Sequence, residues 1–465
     1  MTRRWLLAIA CASIAVALLA VRPRPTHGPL LRDFEAYWAA GSAWNAHADP
    51  YGGAIWNEER TVAGVDSRRD EVLPFVGPPA TLLAWTFFAR LPYATAAVLW
   101  SAFLAFSLLL VSASSIRGSG GAIAPFPLLA VLALAVACGP VTSDLALGQV
   151  ALPALAAATL VVLVAARSLT FAAAAACLAF AQPNASLGLA SQLGRNRATL
   201  AIALGAVGTY ALGALAAGWA WPLEYARILG AHGTAERFAA IQLSPASIAF
   251  GLGAAPLAAR FAEVAATLLV IAAAVVIALR VRDAFARFAA FSALTPFAAG
   301  FFHEHDLVVA FVAASWCALR TRATARTIAL AGTLLVCVDW LGLAQRPTGI
   351  TQSALLALAA LCAFTAAGGE AELRRPLVVG SAFGAFFAVA AWLAIHNPAP
   401  IWPDALGAFH APARAPIAGV WAAELRASGL LAAIPAWALL RSLSLLGCAL
   451  LSFAIYRHSA CCRTV

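Results

Sequence analysis

With 63% hydrophobic and only 11% charged residues, a 465-residue chain of mean hydropathy +0.87 lacks the polar surface that a water-soluble globule of this length needs. Apolar runs long enough to cross a hydrocarbon core of about 30 Å recur from end to end, and without period-2 alternation they specify helices rather than a barrel. The net charge of +10 sits on arginines in short loops, where it orients helices rather than binding nucleic acid, and the nine cysteines show neither a disulfide framework nor zinc spacing.

In chain order, Thr2-Arg3-Arg4 and the apolar run 5–21 have the outline of a signal peptide. No small-residue cleavage site follows and Arg22-Pro23-Arg24-Pro25 comes next, so the run reads as an uncleaved first span. The segment 22–72 is the longest polar stretch of the first half. Spans are expected at 73–89, 94–113, 122–138, 150–166, 171–190 and 199–219. A polar segment, 221–260, follows, and its Gly-rich part, 247–260, reads as a re-entrant or surface helix. Further spans are expected at 261–279, 285–302, 307–319, 327–344, 353–367, 377–395 and 430–456, for about 12–14 in all. Cys461 and Cys462 follow the last span, where a plain cytoplasmic tail or lipid attachment fits. The fold class is all-α, a single polytopic membrane domain over 1–465.

A basic amino terminus held inside puts Arg195, Arg197, Arg280, Arg282, Arg320, Arg322, Arg326, Arg374 and Arg375 on the cytoplasmic side. The loops 22–72, 221–260 and 396–428, and the cluster His303-Glu304-His305-Asp306, then share the opposite side. Ionisable groups at a membrane boundary mark a site, so an extracytoplasmic site in the cell membrane is expected. No internal repeat is visible, which disfavours an inverted-repeat transporter.

Three ordered blocks carry a family resemblance. The first loop reads Asp33-Phe34-Glu35-Ala36-Tyr37, then Asp49-Pro50-Tyr51-Gly52. Phe75-Val76-Gly77-Pro78-Pro79, Leu91-Pro92-Tyr93 and Ala96-Ala97-Val98-Leu99-Trp100 come next. Gly148-Gln149-Val150 and Ala181-Gln182-Pro183-Asn184 complete a set covering roughly the first 200 residues. In order and spacing these blocks resemble glycosyltransferase family 87. The resemblance implies a GT-C-like helical bundle with an extracytoplasmic active-site loop. It also implies an enzyme that moves a sugar, commonly mannose, from a polyprenyl phosphate carrier to a lipid or glycan acceptor, with no metal and no cofactor. The implied partners are that donor, the acceptor and membrane lipids. One position departs: the family carries a lysine before the proline where this chain has Gln182, and the chain contains no lysine at all. If that lysine helps to hold the donor phosphate, the departure leaves three alternatives open: a different donor, a substitute arginine or lost activity.

Inverting transfer from a lipid phosphate needs a carboxylate to take the proton of the acceptor hydroxyl. Asp33, just beyond the first span and at the acidic position of the family's first loop, is the candidate base; its plain alternative is to cap a helix starting at Phe34. Glu35 does not share a helix face with Asp33 and is the poorer candidate, whereas Tyr37 lies one turn away. Tyr37 is placed to hold the carboxylate or a sugar hydroxyl, or to anchor in the aromatic belt. Gln149, Gln182 and Asn184 lie in or beside apolar spans, with Pro183 opening the helix, and are expected to bond to one another or to a ligand. Arg227, with His232 and Arg237, offers charge to a lipid phosphate or merely to headgroups. His303, His305 and Asp306 are read as substrate contacts. Their residue types also suit a metal, but His-x-His converges only on extended backbone, and a helix start capped by Glu304 or Asp306 is the plain alternative. The lack of a nucleotide fingerprint fits a lipid-linked donor. Two rival readings stand: a transporter or flippase for a lipid-linked or amphipathic substrate, with polar groups along a path between both faces, and a catalytically inactive family member.

Overall fold

The structure, a computed structural model, describes residues 3–20, 28–66, 68–346, 349–368, 373–412 and 415–461. Arg22, Arg24 and Cys462, and the side chain of Cys461, lie outside the described residues. Among those described, the chain is helical, and its only strand-like pairing is a bridge between Gln242 and His303. Six helices are long and apolar enough to cross a bilayer: Tyr93–Gly118, Asn196–Ala217, Pro256–Arg280, Ile350–Gly368, Arg374–His396 and Pro435–Ala460. Only 6% of the apolar window of Pro256–Arg280 is buried, and Phe261, Leu268 and Leu269 face outward. Lipid tails solvate such a surface where water would drive it to aggregate. The fold is thus an all-α polytopic membrane protein.

Several expected spans are shortened or broken, each for a local reason. Over 73–89 only Pro79–Phe88 is helical, because Pro74, Pro78 and Pro79 lack amide donors and hold the preceding residues extended. The run 122–138 stops at Val136, and the chain turns by 75° into a second helix, Gly139–Leu147, that opens with Pro140. Within 171–190 the helix ends at Ala179 and Gln182 is extended, because Pro183 cannot donate into a continuing helix. In 327–344 the helix ends at Cys337, and the Asp339 carboxylate accepts from the Gly342 amide at 2.7 Å to cap the new helix Trp340–Gln345. The expected loops also carry helices: Phe34–Asn45 and Ala54–Glu59 in 22–72, Trp221–Glu236 and Pro245–Gly251 in 221–260, and Ile417–Ala427 in 396–428.

Small residues let the intact helices pack closely. Ala323–Cys337 lies on Pro435–Cys461, where a Cβ on Gly332 would stand 2.9 Å from the Gly447 carbonyl and one on Gly447 2.8 Å from that of Gly332. The two ends of the bundle differ in chemistry. At one, Arg195 donates to the Arg282 carbonyl at 2.8 Å, and Arg326 donates to the carbonyls of Ala318 and Phe364 at 2.8 and 2.9 Å. The 22-residue helix Asn196–Ala217 runs about 33 Å from that end, and at its other end the Ala216 carbonyl accepts from Trp44, in the helix that Asp33 precedes.

Candidate active site

All four interruptions border the same space. Leu73, Pro74, Val76, Gly77, Gly139, Gln182 and Asp339 line a cavity of about 660 Å³, together with Asp33, Tyr37, Gln149, Asn184, His303, His305 and Asp306. Interrupted helices are tolerated in a bilayer where they enclose such a cavity, since the freed backbone groups find partners there.

Asp33 does not cap the helix it precedes: its side chain makes no capping bond. Its amide donates to the Leu147 carbonyl at 2.9 Å, and its Oδ2 accepts from the Gln149 side-chain amide. The Gln149 carbonyl oxygen in turn accepts from the Tyr37 hydroxyl at 2.7 Å, so Tyr37 acts on Asp33 through Gln149. Gly148 makes this chain of bonds reachable. It ends a helix at φ +79°, where a Cβ would stand 2.8 and 2.9 Å from those of Leu31 and Phe34, so only glycine brings Gln149 this close. Its carbonyl accepts from the Trp100 indole at 2.8 Å, Trp100 stacks on Phe34, and Trp85 stacks on Tyr37. The motif blocks distant in sequence therefore meet in one aromatic wall behind Asp33. Among the described residues nothing bonds to Asp33 Oδ1.

Beneath the helix start lies a buried group of acids and arginines. Arg32 reaches Glu35 at 3.4 Å and Glu71 at 2.9 Å, and Arg69 pairs with Glu71. Glu424 accepts from the Val72 amide at 2.9 Å and from the Trp402 indole at 2.8 Å, and Arg32 lies 4.8 Å from the centre of the Trp402 ring. Burial pushes the Glu35 carboxyl up, against the pull of Arg32, and pushes Glu424 up to about 8. Glu35 is thus turned into this group and away from the role considered for Asp33.

Across the cavity, Asp306 is the hub. Its Oδ1 accepts from Gln182 at 2.8 Å, and its Oδ2 accepts from Asn184 and from the His303 amide, each at 3.0 Å. Gln182 and Asn184 therefore bond to a common carboxylate rather than to each other, while Asp306 partly fills the capping role considered for it. Glu236 lies 3.6 Å from His303 Nε2 and is held by the Trp421 indole at 2.9 Å. Burial opposes charge on His303, but Glu236 with Asp306 outweighs it and holds the imidazole above its ordinary value. The Gln242 amide nitrogen, 3.0 Å from the same Nε2, works in the opposite sense. Burial pushes His305 down.

Two expectations change here. His303 and His305 converge although Glu304 between them is helical and His305–Leu307 forms a 3-10 turn, and their ligand-capable atoms and that of Asp306 lie within 4.8 Å of one another. The trio suits a divalent cation by residue type, although Asp306 already accepts three hydrogen bonds. Arg227 does not line the cavity, and Arg237 is committed to Glu263 at 2.8 Å; of that expected basic group only His232 reaches the cavity. Sequence reasoning missed Arg32, Glu236, Asp339 and Arg346, all cavity-lining. Arg32 and Glu236 owe their place to contacts with Glu71 and His303, far along the chain, and Asp339 and Arg346 owe theirs to a helix break that no proline marks.

Fold and site together define a multi-pass membrane protein with a polar, carboxylate-bearing cavity built from interrupted helices. The sequence model of glycosyltransferase family 87 matches residues 75–303, which places the chain among membrane glycosyltransferases. No curated protein and no solved structure matches it.

Proposed function

We propose that this protein transfers a hexose, mannose in the first instance, from a polyprenyl phosphate carrier to a lipid or glycan acceptor, with inversion and with Asp33 as general base. The observation that carries the reading is the Asp33–Gln149–Tyr37 chain: one carboxylate oxygen is held and the other is free to accept a proton from a hydroxyl in the cavity. His303, whose imidazole Glu236 holds above its ordinary value, would face the sugar, with His305, Gln182 and Asn184 alongside. The arginine-bearing end of the bundle faces the cytoplasm by the positive-inside rule, so the cavity opens outside the cell membrane.

A flippase would need polar groups on a path between both faces. Those found here gather at the end away from the arginine loops, which favours the enzyme. The inactive-member reading rests on Gln182 alone. The test is transfer from radiolabelled polyprenyl phosphate mannose by the purified protein, wild type against Asp33→Asn, over a panel of lipid and glycan acceptors. Transfer lost with Asp33→Asn supports the reading, and transfer retained by that variant sinks the base assignment. Donor binding without transfer to any acceptor would favour the inactive reading, and absence of donor binding would reject the donor class.

A further inference from the structure

A lipid-linked sugar phosphate keeps a negative charge, and an anion leaves water only where a cation or several donors receive it. The position expected to supply that cation holds Gln182, whose amide is spent on Asp306 at 2.8 Å, so the family's lysine has no replacement at its own site. The cavity lining contains two arginines and three histidines: Arg32, Arg346, His232, His303 and His305. Burial pushes His232 and His305 down, toward the neutral form. His303 already faces Glu236. Both terminal nitrogens of Arg32 are taken by Glu35 and Glu71. Arg346 differs from all of these. It is exposed, its backbone amide closes the short helix on the Gly342 carbonyl at 2.8 Å, and its guanidinium makes no hydrogen bond or ion pair among the described residues; the Asp339 carboxylate feels its charge but bonds to the Gly342 amide instead.

Its place adds a second argument. Arg346 stands between the capped helix Trp340–Gln345 and the membrane-crossing helix Ile350–Gly368, whose first turns put Gln352, Ser353 and Leu356 into the same cavity lining. The cavity therefore runs from Asp33 to the flank of a span, the route by which a prenyl chain would stay in lipid while its phosphate enters.

We propose that Arg346 binds the phosphate of the lipid-linked donor, supplying from the helix after Asp339 the charge that Gln182 does not. This inference rests on the donor class proposed above. The shared chemistry is a lipid phosphate, and a membrane phospholipid headgroup is the competing source.

The experiment measures equilibrium binding of radiolabelled undecaprenyl phosphate and of undecaprenol to the purified full-length protein in detergent, for wild type, Arg346→Gln and Arg346→Lys, with and without excess phosphatidylglycerol. Wild type should prefer the phosphate over the alcohol. Arg346→Gln should weaken phosphate binding by about tenfold or more while leaving the alcohol unchanged, and Arg346→Lys should restore part of the difference. Excess phosphatidylglycerol should not displace the undecaprenyl phosphate. If wild type does not distinguish phosphate from alcohol, the donor class fails. If wild type distinguishes them and Arg346→Gln does so equally well, the Arg346 assignment alone fails. Displacement by phosphatidylglycerol in wild type but not in Arg346→Gln would make Arg346 a general headgroup contact and overturn its donor role. Equal unfolding midpoints for the three proteins exclude a folding defect, and should Arg346→Gln not fold, Arg346→Ala provides the same comparison.

Discussion

At Asp33 the decisive contacts are graded, and so should be the effects of removing them. Asp33→Asn removes the proposed base and should lower transfer by about 10²–10⁴. Gln149→Leu removes the donor that orients Asp33 Oδ2, a hydrogen bond to a charged group, and should lower the rate by about tenfold to a hundredfold. Tyr37→Phe removes a neutral bond once removed from the carboxylate and should lower it by about fivefold. Turnover measured side by side checks the order, and a Tyr37→Phe loss equal to that of Asp33→Asn would show that Gln149 is not the intermediary. The buried acids give a second prediction. Glu424 is raised from its ordinary 4.5 to about 8, by burial and Glu71 against the hydrogen bonds of Trp402 and Val72 and the charge of Arg32. Between those values the native state holds a proton that the unfolded chain has lost, so this contribution to stability is complete below pH 4.5 and is lost as pH rises through about 8. The unfolding midpoint in detergent should therefore fall from pH 5 to pH 9, and Glu424→Gln should flatten that fall.

At the scale of elements, the bundle is held by close helix approach and the site is made by helix interruption. Gly332→Val would push a branched side chain into the Gly447 backbone and should destabilise the protein by about 1–3 kcal/mol, read as a lowered unfolding midpoint, without changing donor affinity. A loss of donor binding at unchanged stability would show that this crossing shapes the cavity. What was legible in the sequence divides along the same line. Long uninterrupted spans such as Pro256–Arg280 and Arg374–His396 were visible because apolar length alone specifies them. Pro183 announced its break. Asp339 did not, because a lone acid near the end of an apolar run reads as loop until its capping bond to Gly342 is seen. In the site, Asp33, Tyr37, Gln149, Gln182, Asn184 and Asp306 could be singled out, each being a polar group in or beside an apolar run. Glu236 and Arg32 could not, since what makes them part of the site is contact with His303 and with Glu71, 67 and 39 positions away in the chain.

For the whole molecule, the central feature is a polarity along the bundle axis. Arg195, Arg282 and Arg326 gather at one end, and Asn196–Ala217 carries the chain to the end where Trp44 meets Ala216. If the positive-inside rule governs this protein, the two ends face opposite aqueous phases, and the direction is a testable statement. Asn57, exposed in the short helix Ala54–Glu59 at the cavity end, and Arg197, exposed at the arginine end, are the reporters. In intact cells a cysteine at position 57 should react with a membrane-impermeant maleimide, and one at 197 should react only after permeabilisation. The reverse pattern would place the cavity in the cytoplasm and remove the topological support for a carrier-linked donor, since a cytoplasmic site would have nucleotide sugars within reach. Labelling of both positions in intact cells would instead mean that the bundle does not separate two phases at these ends, and the assignment of sidedness from arginines would fall.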